Sequence, residues 1–160
     1  MFFLQNFEYD IKNNLTKFSN TFINKLNNIS QLKFNTEVDL IDFVIFIEPT
    51  RFEVDIMMFS MDKEGNQVFN ERKSQDYFAD SIEIISELQF YFDESILENE
   101  EFLEKADEIV TKVIIDWFTS CREQSTCENI KLPVFVSVDD CLESYDLKKH
   151  KWIQIKEKYI

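Results

Sequence analysis

The sequence predicts an α+β fold, an antiparallel meander sheet packed against long amphipathic helices, and three observations predict it. A helical stripe of apolar residues runs from about Gln5 to Asn28, an apolar alternation of period two occupies Asn35 to Met61, and a second helical stripe runs from about Leu97 to Cys121. Elements of this kind are stable as layers that bury their apolar faces against each other.

In the first helix, Phe7, Ile11, Leu15, Phe18, Phe22, Leu26 and Ile29 recur at spacings of three and four, with Asn, Lys and Thr opposite. That spacing lays one stripe along one helix face. The strand-like sequence that follows argues for a helix covering a core rather than a coiled coil. From Asn35 the period becomes two. Ile41, Phe43, Ile45 and Ile47 alternate with Asp42, Val44, Phe46 and Glu48; after Pro49-Thr50, Phe52, Val54, Ile56 and Met58 alternate with Glu53, Asp55, Met57 and Phe59. Successive side chains of a strand point to opposite faces, so each run reads as a strand. The first is apolar on both faces, which predicts a central position in the sheet.

Asp62-Lys63-Glu64-Gly65-Asn66 predicts a hairpin turn, with the chain's single glycine supplying the positive φ. Gln67 to Glu71 is expected to return as a third strand. Ser74 to Glu94 is read as a helix on the stripe Tyr77, Ile84, Leu88 and Tyr91, although Ile82 to Phe92 also holds β-favouring residues. In the next helix Leu103, Val110, Ile114 and Phe118 form one stripe, widened by Ala106, Ile109, Val113 and Trp117. Acidic residues crowd its first turns, where they complement the helix dipole. Ser120 to Lys131 reads as a loop, Leu132 to Val138 as a short strand with Pro133 at its start, and Tyr145 to Lys151 as a turn leading to a last strand, Trp152 to Ile155. No repeat, low-complexity tract or linker divides the 160 residues, which are read as a single domain, 1–160.

Composition narrows the function. Hydrophobic residues are 44% of the chain and charged residues 30%, a globular balance, and 17 Phe supply large core surface from few positions. A chain with one Gly cannot build the glycine-rich phosphate loops of P-loop or Rossmann nucleotide enzymes. A net charge of −14 repels nucleic acid and anionic membranes and favours a cationic partner, whose encounter it speeds. No run approaches the roughly 20 apolar residues of a membrane span. MFFLQNFEYD has no basic region of a signal peptide, and Cys121, Cys127 and Cys141 are odd in number and sparse. A cytoplasmic location with reduced thiols is expected.

Catalytic motifs are thin. His150, the one histidine, lies among lysines with no neighbouring carboxylate and reads as an exposed turn residue. The cysteine spacings match no zinc pattern. Asp139-Asp140, with Glu53 and Asp55, could serve a metal-dependent hydrolase, but few basic residues accompany them to hold an anionic substrate. No catalytic residue, cofactor, metal or small-molecule substrate is therefore predicted, and the chain is read as a non-enzyme.

Charge distribution carries more. Glu98, Glu100, Glu101, Glu104, Asp107 and Glu108 follow Asp93 and Glu94 with Lys105 the only base among them, and Glu53 and Asp55 close a second acidic stretch that begins at Glu37. Lys148, Lys149, Lys151, Lys156 and Lys158 make the C-terminal end basic. If the two acidic stretches converge they form one anionic surface. Glu98, Glu100, Glu101, Glu104, Asp107 and Glu108 are the first candidate contact residues, with Glu53 and Asp55 second. A solvated face without further meaning is the competing reading.

In size, acidity, Phe/Asn/Lys/Ile-rich usage, helix–meander–helix–strand order and the run Tyr145-Asp146-Leu147-Lys148-Lys149-His150-Lys151-Trp152-Ile153, the chain resembles the small acidic immunity proteins that bacteria encode beside polymorphic or contact-dependent toxins. The resemblance has no diagnostic motif and carries no residue across. It implies a cytoplasmic protein that binds and neutralises one cognate toxin, often a basic nuclease. A structural or regulatory homodimer formed through aromatic surface, and the metal-dependent hydrolase, are the alternatives.

Overall fold

The computed structural model describes residues 2–48, 53–70, 77–89 and 98–159. The chain is α+β, with helix α1 (Phe2–Ser30), strands β1 (Leu40–Glu48), β2 (Glu53–Met61) and β3 (Ser81–Gln89), helix α2 (Glu100–Glu123), and strands β4 (Val134–Val138), β5 (Glu143–Asp146) and β6 (Lys151–Gln154). Single 3-10 turns follow α2 at Thr126–Asn129 and β6 at Ile155–Tyr159. Among the described residues six strands form one sheet in the order β3-β2-β1-β4-β5-β6. All neighbours are antiparallel except β1 and β4, which run parallel. β1 is central, as its two apolar faces predict.

Both helices cover one face of the sheet. Ile41, Phe43 and Ile45 of β1 stand opposite Ser60, Met58 and Ile56 of β2 and Val134, Val136 and Val138 of β4, so their side chains share that face and meet the buried stripes of α1 and α2. The helices run side by side in the same direction. Phe7 meets Phe102 edge to face at 5.3 Å near their starts, and Phe22 stacks on Trp117 at 4.7 Å further along. Phe118 joins the layers, with ring contacts to Phe22 at 4.9 Å and to Phe43 of β1 at 5.0 Å. Phe18, expected in the α1 stripe, is 40% exposed. At 3.6 residues per turn the stripe drifts round the helix, and Ser19, whose hydroxyl accepts the Trp117 indole N–H at 2.9 Å, takes the contact instead.

Two expectations are corrected. Ser74 to Glu94 is not a helix: Ser81–Gln89 is the edge strand β3, while residues 74–76 and 90–94 lie outside the described set. The pairing with β2 is irregular at two points, between Val54 and Ile56 and between Ile56 and Met57. Extra residues at these irregularities stretch the apolar spacing from two to three or four, which imitates a helical stripe while letting Ile84, Ile85 and Leu88 all be buried. The third strand of the meander is therefore β3, not Gln67 to Glu71. The hairpin turn forms as expected, with Gly65 at φ 86° and the Asp62 carboxylate accepting the Glu64 and Asn66 amides. The return makes a Met61–Gln67 bridge and a Val68-to-Ser60 hydrogen bond, and the Val68 carbonyl accepts the Asp80 amide at 2.8 Å, before β3 takes over the edge. Residue 71 and the Pro49 to Phe52 connection fall outside the described residues.

Other boundaries move less. Two turns of the expected Ser120–Lys131 loop are helical, as α2 runs to Glu123 and a 3-10 turn covers Thr126–Asn129. β5 begins at Glu143, so the turn before the last strand is shorter than expected and holds His150, exposed and at φ 53°.

The back face of the sheet is treated differently in its two halves. Over β1 and β4 the C-terminal turn packs down: Lys158 donates to Asp42 at 2.8 Å with both groups buried, and its ammonium sits 5.6 Å from the Phe135 ring centre. Over β1 and β2, Val44, Phe46, Met57 and Phe59 form a half-buried apolar strip.

Candidate functional site

α2 begins at Asn99, whose side chain accepts the Phe102 amide at 3.2 Å, with Glu100 and Glu101 in the first turn. A capped, acid-led N-terminus satisfies free amides and complements the dipole. Once Phe102, Ala106, Val110, Val113 and Ile114 turn into the core, the 3.6-residue period carries Asp107, Thr111 and Ile115, with Glu108, Lys112 and Asp116, to the flank of the helix. That flank faces the C-terminal ends of the two parallel strands, Ile47 of β1 and Val138 of β4.

The other wall is a tight turn and a hairpin. The Asp139 amide donates to Ile45 at 2.9 Å, prolonging the β1–β4 ladder, and Asp140 turns the chain at φ 63°. Aspartate is one of the few residues that enter this left-handed region readily. The Cys141 amide closes the turn onto Val138 at 3.1 Å, and Glu143 opens β5 with its carboxylate accepting the Gln154 amide side chain at 3.2 Å. Tyr145 and Trp152 are register partners across β5 and β6, edge to face at 5.4 Å, with Trp152 45% exposed. Between the walls lies a groove of about 700 Å³, floored by Ile47, Ile115 and Val138.

Its electrostatics are one-sided. Asp107, Glu108, Asp116, Asp139, Asp140 and Glu143 line it against one base, Lys112. None of the six carboxylates has an ion-pair partner among the described residues. The Cys141 thiol reports the field: although the residue is exposed, partial desolvation against the groove pushes it up, and the carboxylates of Asp107, Asp140, Asp139 and Glu143 push it further. Loss of a proton there would add a negative charge to a negative site.

The sequence-derived candidates divide accordingly. Asp107 and Glu108 line the groove. Glu98, Glu100, Glu101 and Glu104 are exposed and continue the acidic surface toward the start of α2, with Glu101 paired to Lys105 at 3.2 Å. Glu53 and Asp55 alternate with the buried Val54 and Ile56 and so lie on the opposite face of the sheet from the helices. The convergence of the two acidic stretches through Glu53 and Asp55 is thus not what the fold makes. Asp116, Asp139, Asp140 and Glu143 join α2 instead. The helical spacing of Asp107, Glu108 and Asp116 is visible in sequence; the acids of the β4–β5 turn meet them only through the fold.

A second hollow of about 900 Å³ lies at the other end of β2, beside Asp39 and Asp62. Of its four carboxylates, Asp39 accepts the Lys63 amide at 2.8 Å and Asp62 the amides of its own turn, while Glu37 and Glu64 are exposed. Among the described residues no three His, Cys, Asp or Glu side chains are placed to hold a metal ion. Cys121 and Cys127 are buried and Cys141 is exposed, all three free. Burial lifts the Cys127 thiol to about 11. No described helix is long and apolar enough to cross a membrane.

Fold and groove together define an α+β chain with an acidic, aromatic-walled groove beside its second helix. No family model, curated protein or solved structure matches it.

Proposed function

We propose that this chain is a cytoplasmic binding protein that neutralises a cognate basic protein, of the nuclease-like toxin kind, by electrostatically steered association and without catalysis of its own. The observation that carries the reading is the gathering of six carboxylates, none with an ion-pair partner among the described residues, around an apolar floor and a half-exposed Trp152. Charge of one sign speeds encounter with an oppositely charged partner, and a central aromatic anchor with a polar rim is how protein interfaces concentrate binding energy. Glu98, Glu100, Glu101 and Glu104 extend the field along α2 and widen the capture surface. The half-buried strip Val44, Phe46, Met57 and Phe59 favours a second reading, a homodimer through the back of the sheet.

The test is affinity capture from a lysate of the source organism, eluted by rising salt. The native protein and a triple variant, Asp139→Asn, Asp140→Asn and Glu143→Gln, serve as parallel baits. One basic protein held by the native bait, lost by the variant, and toxic to cells unless the native chain is co-expressed, is the expected result. Equal capture by both baits, or none by either, overturns the groove-based inhibitor, and a size-exclusion mass of twice the chain's then moves the homodimer forward.

A further inference from the structure

Resting on the reading that the groove binds a basic protein, we infer that its central subsite takes an arginine side chain in preference to lysine. Three features of the groove select for it. Tyr145 and Trp152 form a wall of two rings set 70° apart with Trp152 45% exposed, which offers an indole to a planar cation. A guanidinium stacks on an aromatic ring and is weakly hydrated, whereas an ammonium is a compact, strongly hydrated point charge. Beside these rings on the same wall, Asp139 and Asp140 are consecutive residues on a turn whose backbone is tied to β1, and Glu143, two residues before Tyr145 on β5, has its carboxylate held by the Gln154 side chain, so these carboxylates stand on ordered backbone rather than on free helix ends. Fixed carboxylates suit the two-pronged hydrogen bonding of a guanidinium. Beneath them Ile47, Ile115 and Val138 give a surface for the aliphatic stem of a long cationic side chain. The only base in the groove, Lys112, makes no ion pair among the described residues, so the excess of carboxylate is left for the incoming cation.

The experiment titrates the full chain with hexa-arginine and, separately, hexalysine peptides while following the tryptophan indole N–H resonances by NMR. There are two tryptophans; Trp117, stacked in the helix interface, is the internal control, and Trp152→Phe identifies the other signal. Saturable movement of the Trp152 signal, with hexa-arginine binding about fivefold or more tightly than hexalysine, is the expected outcome. Trp152→Leu should bring hexa-arginine down to the hexalysine level with hexalysine changed less than about twofold, while Trp152→Phe keeps most of the preference. Equal binding of the two peptides, or equal weakening of both by Trp152→Leu, overturns the inference. Movement of the Trp152 signal with protein concentration alone also overturns it, because the occupant is then a second copy. The two proposals fail separately. Arginine selectivity at Trp152, with capture of a basic protein untouched by the groove variants, removes the functional reading and leaves the subsite. Groove-dependent capture without arginine selectivity removes the subsite and leaves the function.

Discussion

Lys158 is one of five lysines that make the C-terminal sequence basic, yet it is buried against Asp42 and Phe135 and contributes no charge to the surface. Burial raises the Asp42 carboxyl above its ordinary value, and the neighbouring Lys158 offsets only part of that; Asp42 Oδ1 has no hydrogen-bond partner among the described residues. Breaking such a pair from one side strands a buried charge, whereas replacing both partners by apolar groups is often neutral or stabilising. Lys158→Met alone is therefore expected to cost about 3–5 kcal/mol, and Asp42→Leu with Lys158→Met to be neutral or up to about 4 kcal/mol more stable than the native chain, both by urea unfolding at pH 7. The pH dependence has a definite sign. A carboxyl raised on folding binds its proton more readily in the folded state, so its contribution is full below the unfolded-state value and is lost as pH rises through the folded one. The stability difference between the native chain and Asp42→Asn should shift toward the native chain as pH falls from 7 to 4.

At the scale of elements, the meander depends on a turn and α2 on a cap. Gly65 sits at φ 86°, and a Cβ there would meet the Tyr159 ring at 3.3 Å, which couples the β2 turn to the C-terminal segment. Gly65→Ala is expected to destabilise by about 1–2 kcal/mol in thermal or urea unfolding, from the left-handed backbone with the tight ring contact adding to it. Asn99→Ala removes the cap of α2 and should cost about 1 kcal/mol by the same measurement. The turn is legible from residue types at fixed spacing, Asp62 to Asn66 around the one glycine. The identity of β3 is not, because its pairing irregularities replace the two-residue period by spacings of three and four. Pattern distinguishes helix from strand only while the strand stays regular.

For the whole molecule, the junction of layers is Phe118, fully buried between Phe22 of α1 and Phe43 of β1. Phe118→Ala should cost about 3–5 kcal/mol by denaturant unfolding, since neither layer can close over the cavity without losing contacts to the other. The net charge of −14 acts at the same scale. Its self-repulsion opposes the compact state, so raising ionic strength from about 0.01 to 0.15 M should raise the melting temperature, followed by circular dichroism. The same salt should weaken capture of a basic partner, because screening reaches the groove and the exposed acids of α2 alike.

The amino-acid sequence by itself determined the α+β class, the central place of β1, the Gly65 turn, both long helices and the acidity of the start of α2. These are local properties, set by the period of apolar residues, by backbone preference and by nearest neighbours along one element. The tertiary structure decided which acids act together. Strand alternation sends Glu53 and Asp55 to the back of the sheet, while parallel pairing of β1 with β4 brings Asp139 and Asp140 beside Asp107 and Glu108. It also decided that Lys158 is interior and that Tyr145 and Trp152 share a wall. The reason is that charge is legible along a chain, but a site is a set of directions in space, and those exist only once strand order and register have been chosen.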